Sequence, residues 1–427
     1  MHWNAILFIM RSFCQRCSIL GIALLASAIL LPAAGIPAED YKARRAELRK
    51  SLDGVMVLFG AEEPEDLHVS FFQETNFLYL TGWRQPGAVL MLTPQEEILF
   101  LPPHDAHGEI FTGRKLGAYD ANANRVTGFD NVLPKSAIES NFFRLLASAN
   151  RVYSLSGDPQ AQKLNQLATF HTRADAAPLI ARLRMMKSPA EIELIQQATN
   201  ATVAAHRKAW SMMRSGLYEY EIASAMTNEY FSRGCERHAY APIVGSGPNS
   251  VILHYMANKR RVDSGEVVLM DVGAECSDYA TDVTRTVPAN GKFSPRQREI
   301  YDIVLGAQKA AIAAVKPGVM LRGDPGALQE IAYQYINTHG KDLNGEPLGK
   351  YFTHGVTHHV GLDVHDPQSA VPLQAGMVIT IEPGIYIPEE NIGVRIEDTL
   401  LVTETGSRNL SGALPREASE IEKLIGK

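Results

Sequence analysis

Two stretches of this 427-residue chain repeat one pattern: VVLMDVGAE followed by YATDVTRTV, and MVITIEPGIY followed by IGVRIEDTLLV. Each opens with an apolar run that ends acid, any residue, Gly, and each continues with a second run carrying another acid among Val, Ile, Thr or Leu. Such runs read as buried strands. A carboxylate is among the side chains least often buried unless it is paired or bound to metal, because desolvating its charge is costly. Asp271, Asp282, Glu382 and Glu397 thus stand at matching places of an internal duplication: helix, helix, strand pair, twice. A pseudo-two-fold arrangement brings all four to one centre, where they repel unless divalent cations hold them, and two close metals with bridging carboxylates are a recurring hydrolytic device. For any single acid, exposure or pairing with Arg285 or Arg395 is an equal alternative; four at matching places favour the metal.

FTHGVTHHVGLDVHD adds four histidines, His354, His358, His359 and His365, among glycines that allow close backbone approach. That density suits metal binding or proton transfer better than packing. His254, alone in SVILHYMANKR, reads by itself as structural. The group His104, Asp105, His107 and Glu109 follows two prolines and reads as a solvated loop. No G-x-S-x-G elbow, H-E-x-x-H helix or phosphate loop is present.

A chain of this length points to about two domains. With 45% hydrophobic and 21% charged residues it has the composition of a folded protein. A net charge of −6 without a Lys/Arg stripe speaks against nucleic acid as a partner. Residues 1–38 read as a signal peptide: Arg11 and Arg16 precede ILGIALLASAILLPAAG, and Ala33, Gly35 and Ala38 offer small cleavage residues. A periplasmic or secreted protein with no stable membrane span follows. The alternative is an uncleaved anchor, although the run barely reaches the ~18–20 residues of a spanning helix. Beyond the leader only Cys235 and Cys276 remain, and whether they pair is open. As a turn cysteine near the acids, Cys276 reads as incidental rather than nucleophilic.

Residues 39–180 read as an α/β domain, with strands in GVMVLFG, NFLYLTGW, GAVLMLT, EEILFLPP and NRVYSLSG and helices in AIESNFFRLLASA and AQKLNQLATF. Residues 181–427 form the second domain. Ser188, Pro189 and Glu191 make a capping box for a helix to about Arg214, and Ser294, Pro295 and Gln297 make another for a helix to about Lys316. Asp324 and Pro325 are predicted to start a further helix.

The ordered strings MDVGAE, TDVTRTV, HGVTHHVGLDVHD, TIEPGIY and GVRIEDTLLVTETG resemble the M24 metallopeptidases, and among them aminopeptidase P more than methionine aminopeptidase. FFQETNFLYLTGWRQPGAVLML and IFTGRKLG resemble, more weakly, that group's N-terminal domain. The resemblance implies an α+β pita-bread catalytic domain with pseudo-two-fold duplication behind an α/β N-terminal domain. It also implies a metalloaminopeptidase that removes the residue in front of a proline. Position by position it makes Asp271, Asp282, His358, Glu382 and Glu397 the ligands of two divalent ions, Mn above others, with Glu397 bridging. Glu382 would also move the proton, His254, His354 and His365 would contact substrate or the oxyanion, and Arg395 would orient the acids. Thr281 and His359 depart from the family's usual glycine and aromatic, which predicts an effect on pocket shape or metal preference. Restriction to a free amino end would come from the N-terminal domain or a neighbouring subunit of a homo-oligomer. The rival readings are a prolidase, which needs a dipeptide, and a pita-bread protein that binds peptides without cleaving them. Creatinase-like enzymes lack these ligands.

Overall fold

Runs of three to five residues, apolar at the centre and polar at the Thr172–Asp175 edge, assemble the first sheet of the computed structural model, which describes residues 35–66 and 68–425. The leader expectation therefore lies outside the described residues up to residue 34, and among the described residues no helix is long and apolar enough to cross a membrane. The sheet has six strands in the order Val132–Pro134, Glu97–Leu101, Val89–Leu92, Val55–Phe59, Arg151–Ser154, Thr172–Asp175. Val55–Phe59 and Val89–Leu92 are buried throughout, so both sheet faces are covered.

One predicted strand is a helix. NFLYLTGW forms Thr75–Thr81, because the Glu74 side chain accepts the Phe77 N–H at 2.6 Å as an N-cap and Gly82 closes the helix in the left-handed region (φ 65). All-round burial hides the helical period in such a short apolar run. The boundary expected at residue 180 falls inside the helix Ala177–Arg184.

The remaining chain repeats its plan. Helices Pro189–Met212 and Glu219–Ser232 precede a hairpin whose long ladder pairs Val267–Val272 with Val283–Pro288 and whose tip pairs Ala274–Cys276 with Tyr279–Ala280. Helices Pro295–Ala314 and Leu328–His339 precede a second hairpin, in which Val378–Ile381 pairs with Asp398–Val402 and the tip pairs Gly384–Ile387 with Ile392–Arg395. Ser188 and Ser294 form the predicted capping boxes. Asp324 does not start a helix: its side chain accepts the Gly326 N–H at 2.9 Å in a turn, and the helix begins at Leu328.

The hairpins meet along their returning strands. Asp282 N–H donates to Thr399 Oγ1 (3.3 Å), Glu397 N–H to Thr284 O (3.0 Å) and Arg395 N–H to Thr286 Oγ1 (3.2 Å). This antiparallel register runs symmetrically through both halves and is the pseudo-two-fold junction. Cys235 and Cys276 form a disulfide that ties the end of the helix Glu219–Ser232 to the first hairpin's tip, which removes Cys276 as a nucleophile.

Candidate active site

The four acids sit where ladder gives way to tip. Asp271 lies one residue from the end of its strand, opposite Thr284, whereas Asp282, Glu382 and Glu397 fall in the gaps between paired segments. A gap frees the side chain from the alternation that points neighbours into a core. Asp271, Asp282, Glu382, Glu397, His254, His354, His358, His365 and Arg395 all line one cavity of about 820 Å³.

Within it, Asp282, His358 and Glu397 each offer a donor atom, all within 4.8 Å of one another. His358 Nδ1 is spent on the His359 carbonyl at 3.0 Å, so Nε2 is the ring nitrogen that faces Asp282 (3.5 Å) and Glu382 (3.4 Å) and is free to serve a metal. Thr284 donates to Glu397 at 2.7 Å, and Thr380 to Glu382 at 3.3 Å. Arg395 Nη2 contacts Asp271 at 2.5 Å.

Electrostatically the cluster is short of cations. Burial, and then the other three carboxylates, push Glu397 far above its usual range. Burial raises Glu382 to about 7 even though His358 pulls it down. Asp271 is raised by burial against the pull of Arg395. Burial disfavours a charged His358, but Asp282 and Glu382 outweigh it and hold the ring near 9. Four carboxylates against one guanidinium and one imidazole, with hard oxygen donors converging, is a donor set that fits divalent cations.

Two tyrosines without assigned roles in the sequence reading belong to the site. The Tyr240 hydroxyl lies between Asp271 and Asp282. Tyr386 carries a chain of hydrogen bonds: Arg395 Nη1 donates to its oxygen (2.6 Å), and its hydroxyl donates to His354 Nε2 (2.8 Å), whose Nδ1–H donates to Gly355 O (2.8 Å). The last acceptor has no proton to give, so the His354 tautomer is set from both ends. Tyr386 closes the TIEPGIY string and was legible as a motif member; no pattern marked Tyr240. His254 and His365 are exposed to the cavity, and the His365 ring stands edge-on to His358 at 4.4 Å.

Thr281 and His359 do not shape the cavity as expected. Both are buried; Thr281 bonds Thr199 and Thr399, and His359 makes backbone bridges to Asp366 and Ile379. Among the described residues the lining runs from Tyr240 to Glu397, and those of the N-terminal region supply none of this wall. His104 stays at the surface, bonded to Glu109 (2.8 Å) and Asp120 (3.3 Å).

Comparison with known proteins places this geometry. Residues 193–404 match the model of metallopeptidase family M24, and residues 41–153 match that of the aminopeptidase P N-terminal domain. The Xaa-Pro aminopeptidase of Haemophilus influenzae is 37% identical over 92% of this chain and 98% of its own length. That of Escherichia coli is 34% identical over 91% and 98%. The structure of Escherichia coli aminopeptidase P with the inhibitor Pro-Leu superposes with a TM-score of 0.81 at 32% identity, covering 91% of this chain and 98% of that one. Proline aminopeptidase P II from Yersinia pestis superposes with a TM-score of 0.80 at 30% identity, over 91% and 99%.

Proposed function

The chain belongs to metallopeptidase family M24, with an aminopeptidase P N-terminal domain ahead of a pita-bread catalytic domain, and on that premise we propose that it is a Xaa-Pro aminopeptidase. The observation that carries the reading is the cation-short cluster of four carboxylates and one imidazole at the floor of a peptide-sized cavity. We place two ions there, held by Asp271, Asp282, His358, Glu382 and Glu397. Mn suits this oxygen-rich set best. Bound there, the ions would lower the pKa of a water toward neutrality and polarise the scissile carbonyl.

The protein's own groups do the rest. Glu382, at the cavity floor 3.4 Å from His358, takes the proton of the attacking water and delivers it to the departing proline nitrogen. His254 and His365, exposed to the cavity, steady the tetrahedral oxygen. Arg395, fixed by Tyr386, Thr284 and Asp271, holds the acids in register. Proline's nitrogen offers no N–H, so the site recognises its ring by shape, with His354 as a wall. Residues 1–38 carry the protein to the periplasm or beyond, and the Cys235–Cys276 disulfide agrees with an oxidising compartment. N-terminal sequencing of exported protein beginning at Met1 would contradict that.

A steady-state assay of Mn-loaded protein tests the function. Xaa-Pro-Yaa tripeptides should be cleaved after the first residue and Xaa-Ala-Yaa poorly. Cleavage of the Xaa-Pro dipeptide alone would make the protein a prolidase.

A further inference from the structure

One residue of the cavity lining, Asp366, anchors a second buried ionic cluster whose cations lie outside the lining. Asp366 accepts Arg184 Nη2 on one oxygen (2.7 Å) and Lys187 Nζ on the other (2.9 Å), and all three side chains are at most 2% exposed. Neither cation lies on the histidine segment. Arg184 ends the helix Ala177–Arg184, Lys187 lies in the link to the next helix, and Arg184 Nη1 also donates to Asn76 Oδ1 (2.9 Å) in the N-terminal region.

The loop from His358 to Asp366 is wound tightly on that carboxylate. Asp363 N–H donates to Asp366 Oδ1 at 3.3 Å, and Asp366 N–H donates to His359 O at 3.0 Å, closing the loop at its base. Gly361 packs so closely that a Cβ there would lie 2.7 Å from the Asp366 carboxyl carbon. The cavity-facing residues His358 and His365 sit at the two ends of this loop, each adjacent to a residue bonded at its base. Arg184 further ties Asp363 (2.6 Å), so one guanidinium grips two points of the loop.

We propose that Asp366, clamped by Arg184 and Lys187, is a positioning residue for His358 and His365, and that through Arg184 the N-terminal region sets the geometry of the catalytic histidines. This rests on the functional reading above. Such displacement is costly to catalysis out of proportion to its size: about 1 Å of misplacement can lower turnover ~10²-fold.

Two variants test it. Asp366→Asn combined with Lys187→Met removes one charge of each sign and leaves Arg184 paired with Asp363; Gly361→Ala leaves every charge in place and pushes the carboxylate sterically. Crystal structures of both, Mn-loaded, should show the His358 and His365 rings displaced. kcat on an Xaa-Pro tripeptide should fall roughly tenfold to a hundredfold, with KM, metal content and melting temperature near those of the parent. Unmoved rings in both variants, or moved rings with unchanged kcat, would overturn the proposal. A parent that cleaves no Xaa-Pro peptide would defeat the functional reading alone, since ring displacement still decides the positioning.

Discussion

Glu397 and Asp398 are neighbours in sequence, both buried, and their electrostatic fates are opposite. Glu397 faces three other carboxylates and is driven far above its usual range by burial and by them. Asp398, the first residue of the strand Asp398–Val402 and bonded away from the cluster, is lowered: burial opposes its charge, but Arg285 wins, helped by Ser411. Its oxygens receive Arg285 (2.7 Å), Ser411 (2.6 Å), Gln308 (3.1 Å) and Arg416 (3.1 Å). Arg285 is as fully used, donating to Pro415, Thr284, Glu397 and Leu414 carbonyls as well as to Asp398. One face of this junction is neutralised by cations the chain supplies; the other is left short. A buried acid with a permanent cation is architecture, and a buried group of acids without enough of them is a place for ions from solution.

The contrast can be broken at either face. Glu397→Gln has the largest expected effect: turnover on an Xaa-Pro tripeptide should fall below detection because a cation donor is lost, while the metal-free protein should melt higher than the metal-free parent because repulsion is relieved. A drop in the metal-free melting temperature would mean that Glu397 stabilises the fold as Asp398 does. His254→Ala or His365→Ala should keep the bound metal and lower kcat by about 10²- to 10³-fold, the usual cost of one oxyanion donor. Metal loss in proportion to activity would assign those rings to the ions instead.

On the opposite face, Asp398→Asn should cost roughly 3–5 kcal/mol by denaturant titration, since Arg285 is left without its counter-charge in the interior. A change under about 1 kcal/mol would show that the remaining carbonyls suffice.

The smallest effect, taken per pH unit, is a slope. Glu382 is raised from 4.5 to about 7, so it disfavours the fold increasingly as pH climbs from 4.5 through 7. His358 is raised from 6.5 to about 9, so its contribution is full below 6.5 and lost as pH passes 9. Both make metal-free protein more stable on acidification from about 9 to 5, by up to ~1.4 kcal/mol per pH unit for each group. Metal-loaded protein should show the opposite slope, because its donors must be deprotonated to bind. Parallel melting curves for the two forms would contradict the cation shortage. Asp398, lowered from 3.8, keeps its contribution across this window and loses it only in stronger acid.

Much of this was legible because charge in an apolar run is rare and has few explanations. The four acids stood out against their strands, His358 lay in a dense histidine segment, and the two serine capping boxes announced their helices from local chemistry alone. Thr75–Thr81 was misread because an apolar stretch buried all round shows no period. Asp324 was misread because Asp before Pro suits a turn as well as a cap.

Local pattern thus determined which residues would be buried at cost, where helices would be capped and that the acids come in matching pairs. Their distances were decided only by the tertiary structure. Asp282 and Glu397 are separated by more than a hundred residues, and the register that sets them side by side comes from Thr284, Thr286 and Thr399, whose hydroxyls look ordinary in a strand. The same holds for the Cys235–Cys276 disulfide, for Tyr240 between two aspartates, and for Arg184 and Lys187 meeting Asp366. Each is a pairing between segments distant in the chain, and such a pairing depends on how helices and sheets pack rather than on the residues flanking either partner.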